Sequence, residues 1–183
     1  MSDFSTENGT VISVTSGSLT FAGSRCLVFN EIPLSILGNL NMRLDSCVTF
    51  VSSIITISSG NLHAIDNFNL SFDKTNITIN LGGSTFNGTQ TSSLSFNDLN
   101  FVIKAGNALF QGFSSPAFLN VNFQVENGGA RFSGNTVSTW QDSELSVVDF
   151  NQVPFVTFDG FAETTFTNSR LRVTRGEVSF LDS

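Results

Sequence analysis

The groups best suited to chemistry lie late in the chain. Asp142, Glu144, Asp149 and Asp159 are followed by Arg170, Arg172 and Arg175. Paired carboxylates on one face are what glycosidic-bond cleavage needs: one acid protonates the leaving oxygen, and the second activates water or attacks the sugar. Trp140 is the single tryptophan and the natural platform for stacking on a sugar ring. Together with Arg170, Arg172 and Arg175 it makes a candidate ligand surface. The arginines read either as a small anion-binding patch or as a strand face turned to water. If Glu144 lies one repeat below Arg170, a plain ion pair accounts for both.

Other chemistries find few residues. His63 is the only histidine, so a Ser-His-Asp set has no second imidazole to draw on. Its neighbours Leu62 and Ala64 look structural. Cys26 and Cys47 are the only cysteines, too few for a four-ligand zinc site or a disulfide framework. No phosphate-binding glycine loop, dinucleotide fingerprint or Asp-rich calcium loop occurs. The expectation is a protein that is not an enzyme and has no metal or cofactor.

The elements that position these groups announce themselves as a repeat. At an offset of 21, Leu19, Phe21, Cys26 and Phe29 meet Leu40, Met42, Cys47 and Phe50. At 22, Phe50 meets Phe72. At 24, LSFDKTNITINLGGSTFNG from Leu70 meets LSFNDLNFVIKAGNALFQG from Leu94, and at 22 that block meets FLNVNFQVENGGARFSG. The unit is an alternating apolar strand (Leu99, Phe101, Ile103), a Gly/Asn turn, a short strand ending in Phe, and a Gly two residues later, as at Phe110-Gln-Gly. Period-two alternation puts Leu99, Phe101 and Ile103 on one face. Units of this length cannot bury an apolar face alone, so each must be covered by its neighbours.

The resulting expectation is an all-β, single-domain parallel β-solenoid of about 7–8 coils with 20–26 residues per coil. Residues 1–18 form a cap or first strand, and 19–183 the repeats. Copies start near Leu19, Leu40, Leu62, Ile77, Leu99, Val121, Leu145 and Leu171. The step of 15 from Leu62 to Ile77 breaks the phase, through either a short copy or a change of corner. Two aromatic registers are expected: Phe29, Phe50 and Phe72, then Phe86, Phe110, Phe132, Phe158 and Phe180. Cys26 and Cys47 stack on adjacent coils about 4.8 Å apart at Cα, within disulfide range; as no secretion signal points to an oxidising compartment, inward, reduced thiols are expected over a bond. Asn76, Asn100, Asn107 and Asn122 line turns or form side-chain ladders. Thr75, Thr78, Thr85, Thr164, Thr165 and Thr167 do not recur at the coil period, which argues against an ordered hydroxyl array for ice or carbohydrate.

Composition agrees. The chain has 183 residues, 40% hydrophobic and 13% charged, with 20 Phe and no Tyr. Ser, Thr and Asn supply about a third of it, a poor basis for helices. The net charge of -7 disfavours nucleic acid as a partner. No apolar run is long enough for a membrane-spanning helix. The start, MSDFSTENGT, has no signal-peptide pattern. Sequons at Asn8, Asn69, Asn76 and Asn87 are what chance supplies in so Asn-, Ser- and Thr-rich a chain.

Gly128-Gly129-Ala130 followed by Phe132-Ser133-Gly134-Asn135 resembles the GGA…FxxN repeat of chlamydial-type polymorphic outer membrane proteins. Leu81-Gly82-Gly83 with Phe86-Asn87-Gly88 is a partial echo. The resemblance implies a right-handed β-helix with an adhesive role at a cell surface. The functional expectation is therefore a non-enzymatic structural or adhesive solenoid, extracellular, surface-bound or part of a virion. Its partner is another copy of itself, stacked through the coil ends because no cap follows Phe180, or a glycan or host surface. The alternatives are a polysaccharide-binding or polysaccharide-cleaving module and a tail-fibre component.

Overall fold

A computed structural model describes residues 4–5, 10–23, 26–43, 46–66, 68–89, 91–112, 115–134, 136–148, 154–160 and 163–181. Among them all regular structure is β, and every strand pairing is parallel. The chain winds as a β-solenoid with three strands per turn, hence three faces. Face I runs from Phe4–Ser5 through Cys26–Asn30, Ser46–Val51 and Phe68–Asp73 to Glu163–Thr167. Face II runs from Ile12–Val14 through Pro33–Ile36, Ile54–Ile57 and Asn76–Ile79 to Arg170–Thr174. Face III starts at Leu19–Ala22 and ends at Glu177–Leu181. Ser93–Ile103 and Ser115–Val125 each bend around a corner and serve both faces I and II.

The repeat is the fold, but one alignment of it needs correction. Leu62 and Ile77 are not successive copies of one position. Leu62 belongs to the face III column Leu19–Leu40–Leu62–Ser84. Ile77 belongs to the face II column Leu34–Ile55–Ile77–Phe101–Phe123–Leu145–Leu171. No copy is short; the step of 15 runs from face III past the face I strand Phe68–Asp73 to face II, across two corners. Both columns are apolar and alternating, so spacing alone could not tell them apart. Of residues 1–18, Phe4–Ser5 and Ile12–Val14 join faces I and II within the same columns.

Apolar side chains from all three faces meet inside. Phe29, Phe50, Phe72, Phe96 and Phe118 stack one per turn, with ring centroids 4.9–5.4 Å apart and planes within 14° of parallel. Face III supplies the second stack, Phe86, Phe110, Phe132, Phe158 and Phe180, at 4.8–5.1 Å. The two meet edge-to-face, as at Phe86 and Phe96, an arrangement aromatic quadrupoles favour. Phe29 through Phe132 are buried. Phe180, at the last described rung, is 71% exposed.

Corners decide the shape. Between faces I and II, Glu31, Ser52, Lys74, Asp98, Asn120, Asp142 and Asn168 all take φ of 49–55°. One left-handed residue per turn makes the bend. The residue after it is often Ser or Thr, turned inward. Ser143 Oγ accepts from Val121 N at 2.9 Å and donates to Gln141 O at 2.7 Å; Ser53 and Thr75 do the same work on two adjacent rungs earlier in the column. These hydroxyls satisfy backbone groups that the bend removes from the sheets.

Between faces II and III the corner is a column of glycines: Gly17, Gly38, Gly60, Gly82, Gly106 and Gly128. A Cβ on Gly106 would lie 2.1 Å from the carbonyl oxygen of Gly82, and the residue's φ is 142°. Gly17 begins the column, with φ of 81° and open space around it. Both glycines hold a conformation costing other residues roughly 1–2 kcal/mol, but only Gly106 faces backbone. Gly106→Ala should therefore lose on the order of 3 kcal/mol of stability, and Gly17→Ala no more than about 2 kcal/mol. Chemical denaturation of the two variants measures the difference, and equal losses would refute the stacked-corner account.

Candidate functional site

A groove follows the corner between faces I and II over the later turns. Asp98, Asn120, Asn122, Asp142, Glu144 and Arg170 are among the residues lining it. Its chemistry follows from the left-handed corner residues, which point outward and repeat every turn. Acid and amide alternate along them: Asp98, Asn120, Asp142, Asn168. Asn120 Nδ2 donates to Asp98 Oδ1 at 2.6 Å, and Asn168 donates to Asp142. Residues in register lie about 4.8 Å apart, and Asp stacked on Asp would set two like charges at that distance. Interposed amides separate the carboxylates and give each a donor. Asn97 donates to Asp73 at 2.6 Å in the same way.

A parallel ladder runs beside it. Asn76, Asn100 and Asn122 are in register, with Asn122 Nδ2 donating to Asn100 Oδ1 at 2.7 Å. Asn107 does turn work instead: its side-chain oxygen accepts from Gly129 N at 2.8 Å. Farther along the groove, Glu144 pairs in register with Arg170, their charged atoms 4.0 Å apart. At 74% side-chain exposure for Arg170, the pair adds little stability.

The four carboxylates do not converge. Asp142 and Glu144 share the groove. Asp159 lies on face III, bonded to Arg131, and Asp149 is outside the described residues. The arginines also disperse: Arg170 and Arg172 alternate with Leu171 and Val173 along one strand, and Arg175 occupies a turn with φ of 63°.

Trp140 is not a ligand platform. It is 1% exposed and continues the first aromatic stack, its ring centroid 3.7 Å from Phe118 and 5.8 Å from Phe166. Its offset of 22 from Phe118 carried the signal, hidden by the change of residue type. Phe166 is half-buried and is the aromatic residue lining the groove. Cys26 and Cys47 do stack in register, but they alternate with inward Leu27 and Phe29 and so face outward. Cys26 is exposed and Cys47 half-buried.

His63 sits on face III between Asn41 and Thr85. Burial, then the positive charge of Arg43, lowers its pKa below the ordinary 6.5, so the imidazole is neutral at pH 7. No group of three potential metal ligands occurs among the described residues. Hydroxyls recur more than the spacing suggested: Thr56 stacks on Thr78, and Thr139 on Thr165. Of the GGA…FxxN positions, Ala130 and Phe132 point into the core, Gly128 belongs to the glycine corner, and Asn135 is outside the described residues. No family model, curated protein or solved structure matches the chain.

Two substitutions test this geometry. Trp140→Ala should cost about 3–5 kcal/mol as a core cavity. Trp140→Phe, which restores the column and removes an indole N–H lacking a partner, should stay within about 1.5 kcal/mol; equal losses in thermal unfolding would contradict the stacked position. Asn120→Asp keeps the side chain's shape but sets three carboxylates on successive rungs. It should destabilise by about 1 kcal/mol at neutral pH and low salt. Acidification that protonates the carboxylates should remove the difference, as should high salt.

Proposed function

We propose that this protein is a non-enzymatic structural or adhesive rod that associates end to end and presents its faces to a surface. The carrying observation is the match between its two ends. The first rung displays Ile12, Val14, Leu19 and Phe21, packed on the core from one side. The last described rung displays Leu171, Val173, Val178 and Phe180 in the same four columns. A second copy placed one strand spacing beyond continues each column: Leu171 to Ile12, Val173 to Val14, Val178 to Leu19, Phe180 to Phe21. Each pairing is apolar on apolar, and the backbone groups along the strands of the two rungs can pair across the joint. Such head-to-tail contacts do not close, so they build filaments.

A catalytic role has less behind it. Among the described residues, Asp142 and Glu144 share the groove, but Asn168 donates to Asp142 and Glu144 pairs with Arg170. The burial of Trp140 removes the platform on which the polysaccharide reading rested. An adhesive role is supported by the broad, weakly charged outer faces with their repeated hydroxyls and amides.

Light scattering coupled to size-exclusion chromatography, with electron microscopy of the same fractions, tests the proposal. Mass should rise with concentration, and rods one solenoid wide should be seen. Phe180→Asp should shift the population toward the single chain by at least tenfold in dissociation constant, the consequence of about 1.4 kcal/mol or more lost at the joint. A strict monomer at high concentration would overturn the proposal.

A further inference from the structure

We infer that Cys26 and Cys47 form an oxidant-dependent covalent staple between two successive turns of the solenoid. They are the only cysteines of the chain and are direct partners on adjacent parallel strands. In-register parallel neighbours lie about 4.8 Å apart at Cα, inside the separation of roughly 4.4–6.8 Å that disulfides span. Alternation with Leu27 and Phe29 turns both side chains outward. Cys26 is exposed and Cys47 is half-buried. A buried pair would be sheltered from oxidants; this one meets solvent. With no third cysteine, there is no competing intramolecular partner.

The position gives the bond a purpose. The rung before Cys26 packs on the core from one side, leaving Ile12, Val14, Leu19 and Phe21 half-buried. A solenoid frays from such ends, because each turn is held only by its neighbours. Joining residue 26 to residue 47 ties the second described rung to the third and closes a loop of one complete turn. This constrains the unfolded chain and arrests peeling from that end.

The oxidant is a low-molecular-weight disulfide. The thiolate of Cys26 attacks one of its sulfurs, expelling one thiolate and leaving a mixed disulfide. The thiolate of Cys47 then attacks the Cys26 sulfur, expelling the second. Two protein thiols are oxidised to one disulfide, the small disulfide is reduced to two thiols, and the two cysteine protons end on the departing sulfurs. An exposed bond of this kind is readily reduced again.

The full chain is treated with oxidised glutathione or with dithiothreitol and followed by intact mass, peptide mapping and thermal unfolding. The oxidised protein should lose about 2 Da, the mass of two hydrogens. It should yield one cross-linked peptide pair from a single chain. Its melting midpoint should rise by several degrees, reversibly with dithiothreitol, and Cys47→Ser should abolish the cross-link and the shift. Persistent glutathione adducts, a bond between two chains, no reaction, or a cross-link that leaves the midpoint unchanged would each overturn the inference. Because the readout is within one chain, failure here leaves end-to-end association untouched, and a strict monomer leaves the staple untouched.

Discussion

Each residue of the described strands lies one strand spacing from its counterpart on the next turn, and that closeness governs the rest. A side chain is admissible only if it tolerates a copy of itself, or a chosen complement, about 4.8 Å away. Phenylalanine meets the condition inside: its rings stack face to face along the axis at 4.8–5.4 Å in the buried columns. Glycine meets it at the corner where the carbonyl below occupies the space a Cβ would need. Hydroxyls meet it at the other corner, where Ser143 bonds backbone from two turns at once.

The same constraint explains the low charge. A column of like charges would repel at every rung, so charged residues enter singly or with a complement. Asp98 and Asp142 are separated by Asn120, Glu144 meets Arg170, and Asp159 meets Arg131. Asparagine is favoured twice over, because it tolerates the left-handed corner and its amide both donates and accepts along a ladder. The corner beside the groove thus carries its carboxylates without self-repulsion. The remaining outer faces repeat hydroxyl and amide side chains at the rung spacing.

Much of this was legible in the chain. The offsets of 21–26 gave the solenoid, and the registers from Phe29 and Phe86 gave the two stacks, because stacking conserves residue type. Glu144 and Arg170 were placed together by counting. The Asp98–Asn120–Asp142–Asn168 corner carried the same period but escaped notice, since its residues vary in type and no apolar signal marks them. Trp140 escaped for a related reason: a different aromatic in a phenylalanine column reads as an exception, while packing treats it as one more ring.

By itself the sequence determined the period, the strand alternation and the apolar columns, all of which follow from local side-chain preference and self-similarity. The tertiary structure alone decided which column each residue joins and which way it faces. Leu62 and Ile77 obey the same alternation, yet they lie on different faces, III and II, with a face I strand between them. Cys26 and Cys47 were paired by spacing, but only the winding of their strand turned them to solvent. A repeat fixes distances along the axis; the angle around it depends on corners, and corners are set by single residues whose backbone conformation no periodicity records.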